Sequence, residues 1–408
     1  MQRTPKGNRL HIGIFGRRNV GKSSLLNALT RQQVSIVSDV AGTTTDPVEK
    51  PMELAPLGPV LFIDTAGVDD TSDLGGQRVA RTKAILDRVD LGILVAQAGR
   101  WEAFEESLLQ ELAAREAPVL VVLNKSDLGP PDLDLEERFR ASGVPFLRTA
   151  AASGAGIDRL REAIVAAAPE DFVNALPLVG DLVPPGGLAV LVVPIDKEAP
   201  KGRLILPQAQ VIRDLLDHHA GSVVVQVPEL ARTIARLAAE PPALVVTDSQ
   251  AFAEVARQTP PEIPMTSFSI LFSRQKGDLA EFARGAGTIA GLRPGDRVLI
   301  AEACTHHPIG EDIGRVKIPR WLSEKAGGAL DVHISQGHDF PPDLRSYRLV
   351  VHCGSCMLTR REVLSRILKC RQAGVPITNY GMAIAWTLGV FERALRPFPG
   401  VLDAMRAA

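Results

Sequence analysis

The segment GRRNVGKSS, residues 16–24, limits the fold of this chain more than any other feature. It follows an apolar run typical of a strand, LHIGIFG (10–16), and opens an amphipathic run typical of a helix. It fits the pattern G-x-x-x-x-G-K-[ST], in which backbone N–H groups wrap phosphate oxygens at the start of a helix. The sequence therefore predicts a phosphate-binding α/β domain at this end of the chain.

The residues of this loop have separate expected roles. Gly16 and Gly21 allow the backbone to approach the phosphates closely, and Lys22 is placed to reach the β- and γ-phosphates. Ser23 is the predicted Mg²⁺ ligand, and Ser24 is expected to join the nucleotide contacts in the first turn of the helix. The loop is therefore expected to bind a nucleotide with Mg²⁺.

Two further motifs complete the phosphate side of the predicted site. Asp64, in DTAG at the end of a strand, is expected to lie in the outer shell of Mg²⁺, and Gly67 to donate its N–H to the γ-phosphate. AGTTTD (41–46) supplies Thr44, a second expected Mg²⁺ ligand that closes on the γ-phosphate. Together with Lys22, these three residues form the predicted catalytic set of a hydrolase that acts on a nucleoside triphosphate.

The base specificity is predicted from NKSD, which also ends a strand. Asp127 can accept hydrogen bonds from guanine N1–H and N2–H, an arrangement that rejects adenine, while Asn124 braces the loops and Lys125 adjoins the base. In AAASGAG (150–156), the N–H of Ala151 is expected to bind guanine O6. Together, the motifs predict a GTPase.

Three departures modify that prediction. Ala150 and Ala152 replace the serine and lysine of the usual S-A-K pattern, so we expect only micromolar nucleotide affinity. Val68 follows DTAG, so no glutamine orients the attacking water there and intrinsic turnover should be low. Asn19 resembles the residue that helps to bind K⁺ in GTPases of the translation and tRNA-modification type, which predicts K⁺-stimulated hydrolysis.

Length and composition bound the rest of the molecule. A chain of 408 residues exceeds a single hydrophobic core, and alternating strand-like and helix-like runs predict three α/β domains, the first with a mostly parallel sheet. We place them at 1–170 (GTPase), 171–268 and 269–408. With 45% hydrophobic and 23% charged residues the chain is globular, and no apolar run reaches the roughly 18 residues of a membrane span. A cytoplasmic protein without a membrane partner is expected.

The cysteines concentrate in the last third. All four lie between Cys304 and Cys370, and a reducing compartment favours a metal or catalytic role over disulfides. Three of them follow two strand-like runs, where ligand sites of open α/β sheets form. The residues at these two strand ends are Cys304, His306, His307, His352, Cys353 and Cys356.

The residues alone leave the bound metal open. Zinc would complete a tetrahedral site with three cysteines and one histidine. A [4Fe–4S] cluster held by three cysteines would leave one iron for a weak or exchangeable ligand. A reduced thiol core without metal is the third alternative.

The fourth cysteine belongs to a helix-like run, TRREVLSRILKCRQAG. Cys370 shares a face with Val363 and Ile367, which predicts core packing and not ligation. The basic residues of the same run are expected to form a solvated face. They are Arg360, Arg361, Arg366, Lys369 and Arg371.

The combination of motifs resembles the HydF family of [FeFe]-hydrogenase maturation GTPases. The spacing of Cys304 and His306 before His352-Cys353-x-x-Cys356 is similar to the cluster motif of that family. Three other segments also resemble it: PKGRLILPQ (200–208), TSFSILFSRQKGD (266–278) and IGRVKIPRWL (313–322). The resemblance covers nearly the whole chain.

This resemblance implies a GTP-binding, a dimerisation and a cluster-binding domain. It implies that Cys304, Cys353 and Cys356 hold a [4Fe–4S] cluster whose fourth iron is open or loosely occupied. It also implies a homodimeric scaffold that receives a two-iron precursor, made with two radical-SAM maturases, and delivers it to apo-[FeFe]-hydrogenase. GTP hydrolysis to GDP would then govern partner association. Which histidine touches the cluster is left open.

Two other functions are compatible with parts of the sequence. An RNA-directed GTPase of ribosome or tRNA maturation, with a zinc-stabilised accessory domain, would have the same first domain. The last third contains no KH-type clamp and only 4% of the chain is aromatic, so no nucleic-acid partner is expected. A zinc hydrolase using His306, His307 and His352 would lack a nearby Glu/His motif on a helix.

Overall fold

The protein divides into two compact units, Met1–Ala175 and Leu176–Ala408. Each unit is built around parallel β-sheet, and each is described separately below. The computed structural model describes residues 6–30, 48–65, 85–194, 204–303, 312–337 and 340–406.

The first unit contains a six-stranded sheet in the order β2-β3-β1-β4-β5-β6. Only β2 runs antiparallel to its neighbour, β3. The strands are β1 Leu10–Phe15, β2 Val48–Leu54, β3 Gly58–Asp64, β4 Leu91–Gln97, β5 Val119–Asn124 and β6 Phe146–Arg148. The described helices are α1 Lys22–Thr30, α2 Ala103–Ala113, α3 Leu133–Ser142, α4 Ile157–Ala166 and α5 Glu170–Val173.

The apolar sequences of the central strands explain why they are buried in the middle of the unit. Every residue of β1 is buried, as expected for a parallel strand covered on both faces by helices. The helices end at local signals: the Asp132 side chain accepts from the N–H of Leu135 at the start of α3, and Gly143 (φ +69°) ends it. The first unit is thus a mostly parallel α/β layer structure.

The second unit contains two four-stranded parallel sheets, in the orders β10-β9-β7-β8 and β12-β11-β13-β14. The strands are β7 Leu188–Val192, β8 Gly221–Val225, β9 Leu244–Thr247, β10 Met265–Ser267, β11 Arg297–Glu302, β12 Asp331–Gln336, β13 Leu349–His352 and β14 Ile377–Asn379. The described helices are α6 Leu206–Asp217, α7 Leu230–Arg236, α8 Phe252–Gln258, α9 Phe268–Lys276, α10 Leu279–Gly287, α11 Ile318–Ala326, α12 Arg360–Ala373, α13 Tyr380–Thr387, α14 Phe391–Leu395 and α15 Pro399–Arg406. One hydrophobic cluster links both sheets.

The strand orders define where ligands can bind. In an open parallel sheet, a crevice opens beyond the carboxyl ends of two neighbouring strands whose connections leave in opposite directions. In the first sheet, β1 lies between β3 and β4, at such a position. In the third sheet, β11 connects forward to β12 on one side and lies beside β13 on the other. The crevice of that sheet therefore opens past the ends of β11 and β13.

The mixed α/β class predicted from the sequence is confirmed, and each predicted buried strand is present. Three strands were not predicted: the seven-residue β2 and the three-residue β6 and β10. The predicted boundary at 268/269 lies inside the second unit, within the first turn of α9. That boundary stays a prediction. Among the described residues, no helix is long and apolar enough to cross a membrane.

Candidate functional site

The loop between β1 and α1 contains two positions that exclude a side chain. Gly16 adopts φ +144°, and a Cβ there would lie 2.2 Å from the carbonyl oxygen of Val95. Gly21 adopts φ +94°, and a Cβ would lie 2.3 Å from Nδ2 of Asn124. Both the backbone conformation and the neighbouring atoms therefore require glycine, which explains the motif in physical terms.

Lys22 is 7% exposed and lies across this loop. Its ammonium group donates to the carbonyl oxygens of Gly16, at 2.8 Å, and Arg17, at 2.6 Å. The positive charge is therefore held against the backbone of the loop. Ser24 is half-buried in the first turn of α1, and Asn19 is an exposed loop residue with φ +59°.

Ser23 and Asp64 are brought together by the pairing of β1 with β3. The Ser23 hydroxyl donates to Oδ2 of Asp64 at 2.8 Å. Burial raises the pKa of Asp64, while the Ser23 hydrogen bond and the Lys22 charge oppose that rise. Oδ1 of Asp64 is buried without a hydrogen-bond partner among the described residues. A buried carboxylate oxygen with no partner, next to a serine hydroxyl, suits a hydrated divalent cation.

Asn124 connects the phosphate loop with the predicted base loop. It is 1% exposed, and its Nδ2 donates to the carbonyl oxygen of Val20 at 2.8 Å. Its Oδ1 accepts from the Thr149 hydroxyl at 3.0 Å and from the N–H of Ala151 at 3.1 Å. The N–H expected to bind guanine O6 is thus directed at Asn124, at the inner edge of the same loop.

The other base-side residues lie beside this network. Asp127 is exposed just after β5, and Lys125 adopts the left-handed conformation with φ +58°. Ala150 pairs with Ala155 in an isolated bridge, which closes the base loop on itself. Thr44, Gly67 and Val68 lie outside the described residues, so their expected roles stay predictions.

The second candidate site lies at the crevice of the third sheet. Register pairs Ala301 of β11 with His352 of β13, so the chain segments that follow these strands emerge side by side. The backbone N–H of Ala303 donates to Sγ of Cys353 at 3.1 Å. The residue just before Cys304 therefore contacts the first thiol of the C-x-x-C segment.

His352, the last residue of β13, is enclosed by protein groups. It is fully buried, its Nδ1–H donates to the carbonyl oxygen of Cys353 at 2.9 Å, and Arg366 donates to its Nε2 at 2.9 Å. Burial, with the charge of Arg366, lowers the pKa of His352 to about 3, so the ring is neutral. Both ring nitrogens are engaged, and this histidine is a supporting residue and not a ligand in this arrangement.

The expected solvated basic face of α12 is wrong at two positions. Arg366 is 3% exposed and donates to the carbonyl oxygen of Gly337 and to Glu362, besides His352. Arg360 donates to the carbonyl oxygens of Gln275 and Gly277. The helix presents these guanidinium groups inward because they satisfy buried acceptors, which residue type alone does not reveal. Lys369 and Arg371 remain on the outer side.

The other cysteines occupy different surroundings. Cys370 is fully buried, and burial raises the pKa of its thiol to about 12, so its predicted core role is confirmed. Burial also raises the pKa of Cys356, opposed by the charge of Lys276. Cys356 borders a cavity of about 150 Å³ that is also lined by Asp248, Ser249 and Tyr380. A volume of this order holds a small ligand.

The thiols have one basic neighbour that sequence reasoning assigned no role. Lys276, in the segment TSFSILFSRQKGD, is 3% exposed, and burial lowers its pKa to about 8, opposed by Cys356 and Cys353. Thr149 was missed in the same way on the nucleotide side. Two sequence features could have identified these residues. Lys276 stands at the end of an apolar helix face, and Thr149 stands just before the base loop.

No group of three metal-ligating side chains lies within the part of the chain that the structure describes. Cys304, His306 and His307 are outside that part, so the three-cysteine set stays a prediction. The two described cysteines of the set, Cys353 and Cys356, are at the crevice and form no disulfide.

Relatives of the first unit are GTPases. The chain is 40% identical over 159 residues to the tRNA modification GTPase MnmE of Picosynechococcus sp., which covers 38% of this chain and 34% of the relative. It is 36% identical over 178 residues to GTPase Der of Wolinella succinogenes, covering 41% and 37%. The chain spans about a third of the length of these curated relatives. Among solved structures, Era of Aquifex aeolicus has a TM-score of 0.36 at 22% identity, covering 56% of this chain and 97% of Era.

Family models match all three parts of the chain. Residues 11–125 match the family described as 50S ribosome-binding GTPase, so the first unit carries a GTPase domain. Residues 178–277 match the hydrogen maturase F dimerization domain, and residues 280–397 match the hydrogen maturase F tetramerization domain. The two maturase models together cover more than half of the chain. The chain therefore belongs to the hydrogen maturase F (HydF) family, a family of hydrogenase maturation GTPases.

Proposed function

We propose that this protein is a GTP-hydrolysing scaffold that binds a [4Fe–4S] cluster and delivers a two-iron precursor to apo-[FeFe]-hydrogenase. The observation that carries the proposal is the position of the cysteine segments. Cys304 and the C-x-x-C pair follow the two strands that flank the crevice of the third sheet. A parallel sheet binds its ligands at this position.

Residues of the first unit bind and hydrolyse GTP. GTP binds with its phosphates against the loop that begins at Gly16, where Lys22 neutralises charge on the β- and γ-phosphates. Ser23 ligates Mg²⁺, and Asp64 holds its hydration shell through Oδ1, which has no partner among the described residues. Asp127 recognises guanine by accepting hydrogen bonds from its N1–H and N2–H. Thr44 and Gly67 complete the contacts to the γ-phosphate.

Turnover depends on a cation beside the phosphates. No glutamine follows DTAG, so another group must stabilise the charge that develops in the transition state. Asn19 is an exposed residue of the phosphate loop with φ +59°, so its side chain is accessible to a cation. K⁺ held there supplies that charge, so hydrolysis is K⁺-stimulated.

The residues at the crevice fit an iron–sulfur cluster. Cys304, Cys353 and Cys356 would hold it, and the bound cluster would supply an iron position without a protein thiolate for an exchangeable anionic ligand. The chain supports this chemistry in two ways. Cys353 already accepts a backbone hydrogen bond from Ala303, and a buried ammonium group, that of Lys276, lies near both described thiols.

Partners follow from the family domains. The dimerization and tetramerization domains are self-association domains, and we infer a homodimer as the working unit. The two radical-SAM maturases load the precursor, and apo-[FeFe]-hydrogenase receives it. GTP hydrolysis controls how long each partner stays bound. These exchanges take place in the cytoplasm, where thiols stay reduced.

Two variants test whether the sites act separately. Cys353→Ser should lower iron content and abolish hydrogenase activation in a reconstituted maturation assay, while GTP turnover stays within twofold of wild type. Lys22→Ala should abolish GTP turnover and leave iron content unchanged. Loss of iron in Lys22→Ala, or normal hydrogenase activation by Cys353→Ser, would contradict the proposal.

A further inference from the structure

Helix α9 carries three side chains toward the C-x-x-C segment. Ser269, Phe272 and Lys276 repeat at the spacing of one helix face. Ser269 and Phe272 line the same cavity as Cys356, and the ammonium group of Lys276 lies over the Phe272 ring, 5.6 Å from its centroid. One face of this helix therefore borders the crevice of the third sheet.

Lys276 holds the C-x-x-C segment through its backbone. Its ammonium group donates to the carbonyl oxygens of Leu358 at 2.8 Å, Ser355 at 3.3 Å and Cys356 at 3.3 Å. Ser355 adopts φ +59°, a left-handed conformation that costs about 1 kcal/mol for a residue with a Cβ. A backbone held in that state needs external support, and these three bonds provide it.

The ammonium charge has no carboxylate partner among the described residues. Each described hydrogen bond of Lys276 goes to a backbone carbonyl, and the ionisable groups that act on its charge are the thiols of Cys356 and Cys353. Burying an ammonium without a countercharge costs several kcal/mol. An anion bound at the two described thiols would supply that countercharge.

A second polar group of α9 is directed at the same place. Oγ of Ser269 is buried without a hydrogen-bond partner in the described part of the chain. It lies 3.4 Å from the point where a Cβ on Gly354, inside the C-x-x-C segment, would stand. An unpaired donor beside a thiolate-bound group can donate a hydrogen bond to sulfur.

We propose that Lys276 is a positioning residue for the iron–sulfur cluster, which fixes the C-x-x-C segment and provides the buried countercharge of the anionic cluster. Ser269 adds a hydrogen bond from the same helix. A cluster with three thiolates gains negative charge on reduction, so a nearby ammonium favours the reduced state. The proposal rests on the proposed cluster function.

Three substitutions separate the two effects of Lys276. Lys276→Met removes both the charge and the donors, whereas Lys276→Gln removes the charge but keeps two of the three donors. Lys325→Met makes the same change at an exposed site on α11 of the same unit and serves as the control. Ser269→Ala tests the added hydrogen bond without disturbing the lysine.

The first measurement needs no metal. In metal-free protein, amide hydrogen exchange over residues 354–358 should accelerate at least tenfold in Lys276→Met, and much less in Lys276→Gln and Lys325→Met. Unchanged exchange in Lys276→Met overturns the role in holding the segment. This result stands whether or not the wild-type protein binds a cluster.

The second measurement is the midpoint potential of the cluster, followed by EPR during a redox titration. We expect Lys276→Gln to destabilise the reduced cluster about tenfold, equivalent to a fall of about 59 mV for a one-electron couple. Ser269→Ala should lower the potential by less, and Lys325→Met not at all. Potentials equal to wild type in the Lys276 variants overturn the countercharge. Absence of any cluster in wild-type protein overturns the proposed function itself.

Discussion

Replacing Asn124 with alanine should weaken GDP binding by up to about 100-fold. Asn124 makes three buried hydrogen bonds, to the Val20 carbonyl, the Thr149 hydroxyl and the Ala151 N–H. At about 1 kcal/mol for each bond, the loss is about 3 kcal/mol, which corresponds to about two decades in affinity. Because the bonds link the phosphate loop to the base loop, both halves of the nucleotide lose their support.

A graded comparison tests this reasoning. Thr149→Val removes only one of the three bonds and should weaken GDP binding about fivefold. Asn174→Ala, the same substitution at an exposed position of the first unit, should leave the affinity within about twofold. Calorimetric titration of each full-length variant with GDP and Mg²⁺ gives the dissociation constants. Equal losses in Asn124→Ala and Thr149→Val, or no loss in Asn124→Ala, would refute the network.

Three further predictions follow from other contacts. Gly21→Ala should abolish measurable GDP binding in the same titration, because its Cβ would lie 2.3 Å from Asn124 Nδ2 at φ +94°. GTP hydrolysis should be roughly tenfold or more faster in K⁺ than in Na⁺, and Asn19→Ala should remove the difference; equal wild-type rates in the two salts would exclude the cation site. Arg366→Met should lower the free energy of unfolding by about 3 kcal/mol in urea titrations, since His352 and its other acceptors lose a buried donor. A change below about 0.5 kcal/mol would show that Arg366 is not structural.

The strands that carry the site could be predicted because parallel strands are apolar throughout. LHIGIFG and LGILVAQ are continuous apolar runs, and β1 and β4 occupy the same residues. The edge strand β2 could not be found in this way. Its sequence VEKPMEL is polar and includes a proline, and the strand is mostly half-buried and pairs with a single antiparallel partner.

The candidate sites could be predicted only where a motif fixes the backbone. The glycine positions of the phosphate loop could be predicted because few sequences can adopt the backbone conformation of that turn. The partners of His352 and Lys276 could not be predicted, because the sequence does not distinguish a buried arginine or lysine from an exposed one. Tertiary burial decided their roles: Arg366 reaches His352, and Lys276 reaches three carbonyl oxygens.

Iron, sulfide and zinc analysis of anaerobically purified protein, with EPR after dithionite reduction, tests the central claim most directly. We predict about four irons and four sulfides per chain and an S = 1/2 signal that is lost in Cys353→Ser. Cys370→Ala, at the buried cysteine of α12, should keep both the metal and the signal. One zinc without sulfide, or cluster loss in Cys370→Ala but not in Cys353→Ser, would contradict the account.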